Sequence, residues 1–174
     1  MSFLQQFLDL FLHIDTHLGS ILQEYGALTY VILFLIILCE TGLVVTPFLP
    51  GDSLLFAAGA FSGEGDLNIV ILLILLSIAA IAGDAMNFHI GRNFGEAILK
   101  YNSRWINRTH LEKTNRFFEK HGGKTIVLAR FMPIVRTLAP FVAGVGKMSY
   151  PRFFAYNVIG GLIWVFFFVG GGYF

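Results

Sequence analysis

The sequence predicts an all-α membrane protein. Its core is an inverted repeat of two opposed re-entrant helical hairpins with transmembrane helices, preceded by an interfacial amphipathic helix. Three observations predict this class. First, 56% of the 174 residues are hydrophobic and only 13% are charged, against about 25% charged in soluble domains; mean hydropathy is +0.71. Second, two apolar stretches, 46–62 (TPFLPGDSLLFAAGAFS) and 132–149 (MPIVRTLAPFVAGVGKMS), are each interrupted by a pair of prolines, continue into Phe-x-Ala-Gly and lead to a long apolar run. Third, charge is segregated: all 12 Lys and Arg lie at or after Arg92, whereas eight of the 11 acidic residues precede it. At this length one membrane domain, 1–174, is expected.

The elements follow in order. Residues 1–25 are amphipathic, with apolar positions at Leu4, Leu8, Phe11, Leu18, Ile21 and Leu22, but Asp9, His13, Asp15 and His17 are too polar for a lipid-facing span. The segment reads as a helix along the interface; packing against the rest of the protein is an equally open role, since it has no basic face. Residues 27–62 form the first hairpin, with Pro47, Pro50 and Gly51 at its tip, and GEGD (63–66) is an acidic turn. Residues 67–90 are the cleanest transmembrane helix, long enough for the roughly 30 Å hydrocarbon core.

A basic segment, 92–124, follows, with eight basic residues against three acidic ones. The positive-inside rule places it in the cytoplasm. It carries a helix that starts at the capping box Thr109-x-x-Glu112 and stops at Gly122-Gly123. Residues 125–148 form the second hairpin, with Pro133, Pro140 and Gly144 as its structural positions, and 150–174 are a final span rich in Phe and Gly. The chain stops at Phe174 with no polar tail, which fits a shortened form of a longer protein.

With the basic segment inside, the first hairpin hangs from the outer face and the second enters from the inner face. Proline- and glycine-interrupted segments in matching places point to the substrate site of a transporter. Broken backbone at membrane depth must line a cavity or be buried in protein.

Five ionisable residues lie in or beside the apolar segments: Glu40, Asp52, Asp84, Arg130 and Arg136. Each costs a few kcal/mol or more near the bilayer centre and is a functional candidate by default. The planar guanidinium fork suits phosphate oxygens. Arg130 and Arg136 flank Pro133, so a break there can turn both toward one pocket. Glu40 and Asp52 then act as counter-ions or proton carriers. The alternative is structural: Glu40 with Arg130, and Asp52 with Arg136, as buried ion pairs holding the hairpins together. Asp84, pairing with Arg92 or reaching to the interface, is a secondary candidate together with Arg92. Asn157 reads as a helix–helix hydrogen bond, and Gly91-x-x-x-Gly95 and Gly170 to Gly172 as close-packing or turn positions.

Several classes are excluded. The single cysteine, Cys39, allows no internal disulfide, and the five histidines show no metal spacing, so no metal and no cofactor is expected. Gly144-Val-Gly-Lys147 is not a phosphate-binding loop, because Phe141 stands where its first glycine belongs. No histidine follows His121, so a lipid phosphatase or transferase would lack a base beside its arginines; the protein is read as a non-enzyme. The basic cluster is short and flanked by membrane segments, which argues against nucleic acid.

The run Glu40-Thr-Gly…Pro47-Phe-Leu-Pro50-Gly51-Asp52, then Gly83-Asp84…Gly91-Arg92-x-Phe-Gly95, then Arg130-Phe-x-Pro133-x-x-Arg136…Pro140-Phe-x-Ala-Gly144 resembles the DedA family, the bacterial branch of the SNARE-associated or VTT-domain membrane proteins. The resemblance covers essentially the whole chain from about His13. It implies the opposed-hairpin fold in a multi-pass protein of the bacterial cytoplasmic membrane. It also implies translocation of a lipid carrier, undecaprenyl phosphate first, with phosphatidylethanolamine transport and phospholipid scrambling as the activities of other members. Dependence on the proton motive force is a family association. The family's functional residues map to Glu40, Asp52, Arg130 and Arg136. Members usually continue with a further C-terminal helix. The expected partners are a polyprenyl phosphate or phospholipid substrate and protons; a homo-oligomer is compatible, and a proton-coupled small-anion transporter is the competing function.

Overall fold

The computed structural model describes residues 27–43, 51–100, 123–146 and 148–174, and among these it contains helices and turns and no strand. The helices are α1 (Leu28–Gly42), α2 (Gly51–Gly63), α3 (Ile69–Lys100), α4 (Lys124–Ala129), α5 (Pro133–Val145) and α6 (Tyr150–Tyr173). The expected interfacial helix, the tip residues Pro47 and Pro50, and the capped helix of the basic segment lie outside the described residues.

Among the described residues two helices are long and apolar enough to cross a membrane, Ile69–Phe94 and Tyr150–Tyr173. Through their middle stretches the exposed large side chains are apolar and recur at helical spacing: Val70, Ile71, Ile74 and Ile78 on α3, and Ile159, Leu162, Ile163, Phe166 and Phe167 on α6; the exposed polar residues His89, Arg92, Asn93 and Arg152 lie toward the helix ends. Buried positions include Glu40, Asp84, Asn87, Arg130, Arg136 and Asn157. Apolar outside and charged inside reverses the pattern of a water-soluble domain and suits a lipid solvent.

The Asn68 side chain fixes the start of α3. Its Oδ1 accepts the backbone N–H of Val70 at 3.0 Å and of Ile71 at 3.2 Å, which satisfies two of the helix's open donors. The helix does not stop near Ile90 as the apolar pattern predicts; it runs on to Lys100, so the first nine residues of the expected basic loop are helical. No proline interrupts this stretch, and Gly91, the first residue able to weaken it, is held by tertiary packing. The acidic turn is as expected: Gly65 takes φ +95°, a conformation that glycine adopts without a Cβ clash.

The second broken stretch is interrupted where Pro133 requires it. Met132 is extended (φ −117°, ψ 108°) and Pro133 opens α5, because the residue before proline is driven out of the helical region and proline is welcome at a first helical position. Pro140 does not break the chain; it lies inside α5. It cannot donate to the carbonyl of Arg136, and the buried neighbours Ala139, Phe141 and Ala143 hold the helix through that defect. Gly144 likewise serves a helix contact rather than a tip.

Tertiary contacts divide the chain into two compact units. One comprises 1–37, 48–79 and 165–174, and the other 38–47 and 80–164. In the first, a Cβ at Gly59 of α2 would overlap the Val169 carbonyl of α6, and a Cβ at Gly172 would overlap the Phe56 carbonyl. In the second, a Cβ at Gly144 of α5 would overlap the Phe88 carbonyl of α3, and a Cβ at Gly91 would overlap the Phe141 carbonyl. The two crossings use the same parts. Each Phe-x-Ala-Gly segment offers its Phe carbonyl to a glycine on the long helix, and its own glycine receives a carbonyl three residues earlier on that helix. The short helix of each sequence repeat thus packs on the long helix that follows the other. Removing Cβ atoms lets backbones approach closely where lipid supplies no hydrophobic drive.

This crossing makes a test. Gly91→Ala is expected to destabilise by about 1–3 kcal/mol, because helix backbones must separate. Gly170, where an added Cβ meets nothing within 4 Å, should accept Ala with a gain of about 0.5–1 kcal/mol. Thermal unfolding of both variants in detergent micelles checks the contrast.

Candidate functional site

The second unit gathers the charges. The last turn of α1 carries Glu40, α3 carries Asp84 and Asn87, the break after α4 carries Arg130, α5 carries Arg136, and α6 carries Asn157 and Trp164. All seven are nearly or completely buried, with Glu40 at 0%, Asp84 and Arg130 at 1% and Arg136 at 2% exposure.

Two ion pairs order them. Arg136 Nη2 donates to Glu40 Oε1, and Arg130 Nη2 donates to Asp84 Oδ2 and to Asn157 Oδ1. The pairing differs from the structural alternative drawn from the sequence. Arg130 turns to Asp84 rather than Glu40, and Asp84 faces inward to Arg130 rather than reaching Arg92, which is exposed. The reason is helical phase. Asp84 follows Gly83, which lies against Thr41 and Gly42 of α1, and that contact turns this face of α3 to the interior. Burial is tolerable because each charge meets an opposite one; a lone buried ion costs several kcal/mol.

Both guanidiniums lie on one indole. The Arg136 Cζ is 4.7 Å and the Arg130 Cζ 6.0 Å from the centroid of Trp164, within cation–π range. The two arginines therefore come together, as the break at Pro133 predicts. Room for Arg130 comes from α6. A Cβ at Gly160 would lie 3.2 Å from its Cδ, and one at Gly161 would lie 3.5 Å from its Nη1 and Nη2.

Amides hold the frame. Asn157 Nδ2 donates to the Ile81 carbonyl at 3.0 Å, the helix–helix bond expected of it, while its oxygen serves Arg130. Asn87 Nδ2 donates to the carbonyls of Thr41, at 3.3 Å, and Thr137, at 2.8 Å. Thr41 follows Glu40 and Thr137 follows Arg136, so one amide ties together the two backbones that carry the ion pair.

The donors are incompletely used. Arg130 Nε and Nη1 and Asp84 Oδ1 are buried with no hydrogen-bond partner among the described residues. A buried guanidinium that engages one of its three nitrogens retains the means to accept an oxyanion. Asp52 and Gly51 stand elsewhere, in the first turn of α2 in the other unit, where a carboxylate suits the helix N-terminus. No group of three or more metal-ligating side chains occurs among the described residues.

Asn87 and Trp164 were not legible as site residues. Trp164 reads as one more aromatic in a Phe-rich span; the signal that singles it out is Asn157-x-x-Gly160-Gly161-x-x-Trp164, which puts an amide, a gap and an indole on one face of α6.

Residues 49–174 match the family model for the VTT domain. The whole chain is 59% identical over 177 residues to Protein DedA of Escherichia coli (strain K12), covering 81% of that protein. Over 79% of the chain it is 42% identical to an uncharacterized membrane protein of Mycobacterium leprae (strain TN), covering 60% of it. It is 34% identical to inner membrane protein YqjA of Escherichia coli (strain K12), across 83% of this chain and 66% of that one. No solved structure matches it. A helical chain with two apolar spans, a charged interior and similarity of this extent belongs to the DedA family of VTT-domain membrane proteins.

Proposed function

We propose that this protein is a flippase that carries a phosphate-bearing lipid, undecaprenyl phosphate first, across the bacterial cytoplasmic membrane, coupled to protons. The observation behind this reading is the pair of buried guanidiniums on one indole, each held by a carboxylate, with two nitrogens of Arg130 not engaged. A lipid phosphate entering the site takes over guanidinium donors. The displaced carboxylate is then buried without its counter-charge, and a proton neutralises it, because an unpaired ion there costs several kcal/mol. Proton uptake and headgroup entry are thereby linked. Asp52, at the start of α2, is a second proton carrier in this scheme.

The fold suits such a task. At 15, 13 and 13 residues, α1, α2 and α5 are each shorter than the roughly 20-residue span. In this reading 27–62 and 125–148 enter the bilayer from opposite faces and return, 1–25 lies at the interface, and 92–124 is cytoplasmic. In this reading the arginines, with carboxylates and an amide as partners, bind a headgroup and do not act on it.

Reconstitution tests it. Purified protein in liposomes, with undecaprenyl phosphate or phosphatidylethanolamine on one leaflet and with or without a pH gradient, should move the polyprenyl lipid and respond to the gradient. Equal flux with protein-free liposomes defeats the reading. Flux of soluble phosphate without added lipid would favour a small-anion transporter, and movement of phosphatidylethanolamine alone would reassign the substrate.

A further inference from the structure

We infer that Trp164 is the positioning residue that makes one phosphate site out of two arginines; the inference rests on the lipid-phosphate reading above. Arg130 and Arg136 sit on separate elements, one in the break after α4 and one in α5. Two cations brought together in a buried site repel each other. The indole face, fully buried, stands within 4.7 Å of one guanidinium carbon and 6.0 Å of the other. Its negative quadrupole attracts both, and tryptophan does so best among the aromatics. An aromatic face attracts a guanidinium without accepting its in-plane N–H groups, so the ring does not compete with a phosphate for those donors. The carboxylates are poorly suited to this work, because they compete with the headgroup for the same cations. The indole carries no charge to neutralise and can hold both cations throughout.

The surroundings of α6 fit this role. Asn157 and Trp164 share a face, one giving Arg130 a hydrogen-bond acceptor and the other a π surface. Gly160 and Gly161 lie between them; a Cβ at Gly160 would press on the Arg130 side chain, and one at Gly161 would press on Ile81 and touch the guanidinium at ordinary contact distance. The helix therefore leaves room for one arginine beside the ring shared with the other.

Two variants and one optical signal test the inference. In proteoliposomes supplied with undecaprenyl phosphate or phosphatidylethanolamine, Trp164→Leu should lower transport by about tenfold or more, while Trp164→Phe, which keeps a π face, should stay within about threefold. The loss in Trp164→Leu should appear as weaker apparent affinity for the lipid, with thermal unfolding of the two variants alike. The chain has two tryptophans, so a Trp105→Phe background leaves Trp164 as the sole indole reporter. Its fluorescence should change on addition of the transported lipid to phosphatidylcholine vesicles, and Arg136→Gln should abolish the change. Equal transport by wild type, Trp164→Leu and Trp164→Phe overturns the inference alone and leaves the flippase reading standing. A loss shared equally by Leu and Phe, with both less stable, reduces Trp164 to packing and also overturns it. Absence of wild-type transport of either lipid removes the flippase reading and the inference with it.

Discussion

Arg136→Gln is expected to abolish lipid transport and to destabilise the protein by about 3–5 kcal/mol, the range for breaking a buried ion pair from one side. The cause is the partner. Glu40 is completely buried and receives Arg136 Nη2, so the variant strips a buried carboxylate of this counter-charge. The double variant Glu40→Gln/Arg136→Gln separates the two effects. Two neutral amides can hydrogen-bond in the same space, and replacing a buried pair as a whole is often neutral. Stability should therefore return to within about 1 kcal/mol of wild type while transport stays absent. Thermal unfolding in micelles beside the liposome assay reads both. Transport regained along with stability would show that the pair is structural only.

Asp84→Asn should have a comparable effect for a different reason. It leaves Arg130 with Asn157 and the Trp164 face but without its counter-ion. The expected loss is again about 3–5 kcal/mol, with transport reduced to background. Arg92→Gln, at an exposed position, should change stability by less than about 0.5 kcal/mol. An equal response of the two variants would return Asp84 to the Arg92 pairing that the linear sequence suggests. A cycle through Asp84→Asn, Arg130→Gln and the double variant measures the coupling directly.

Each unit contains one copy of a repeated helix crossing. The same four-part contact, a Phe carbonyl against a glycine and a glycine against a carbonyl three residues earlier, occurs between α2 and α6 and between α5 and α3. A weak likeness of two short sequences thus corresponds to one helix–helix contact built twice.

Much of the protein was legible in its residues. Apolar runs of membrane length, the break imposed by Pro133 on Met132, the acidic turn at Gly65 and the candidacy of the buried charges all follow from local rules, because hydropathy, proline geometry and the cost of an ion in lipid act on each segment by itself. Partner choice does not. Whether Asp84 faces Arg130 or Arg92 depends on the rotation of α3 set by Gly83 against α1 and by Gly91 against α5, and whether Glu40 faces Arg136 or Arg130 depends on how α1 and α5 are brought together, where Asn87 bonds both backbones. The survival of Pro140 inside α5 goes against local preference, and it lies in the stretch whose Phe141 and Gly144 pack on α3. Trp164 shows the limit best. A lone tryptophan in a Phe-rich span carries no local mark of function, and only tertiary packing brings two guanidiniums, from elements remote in sequence, onto its ring.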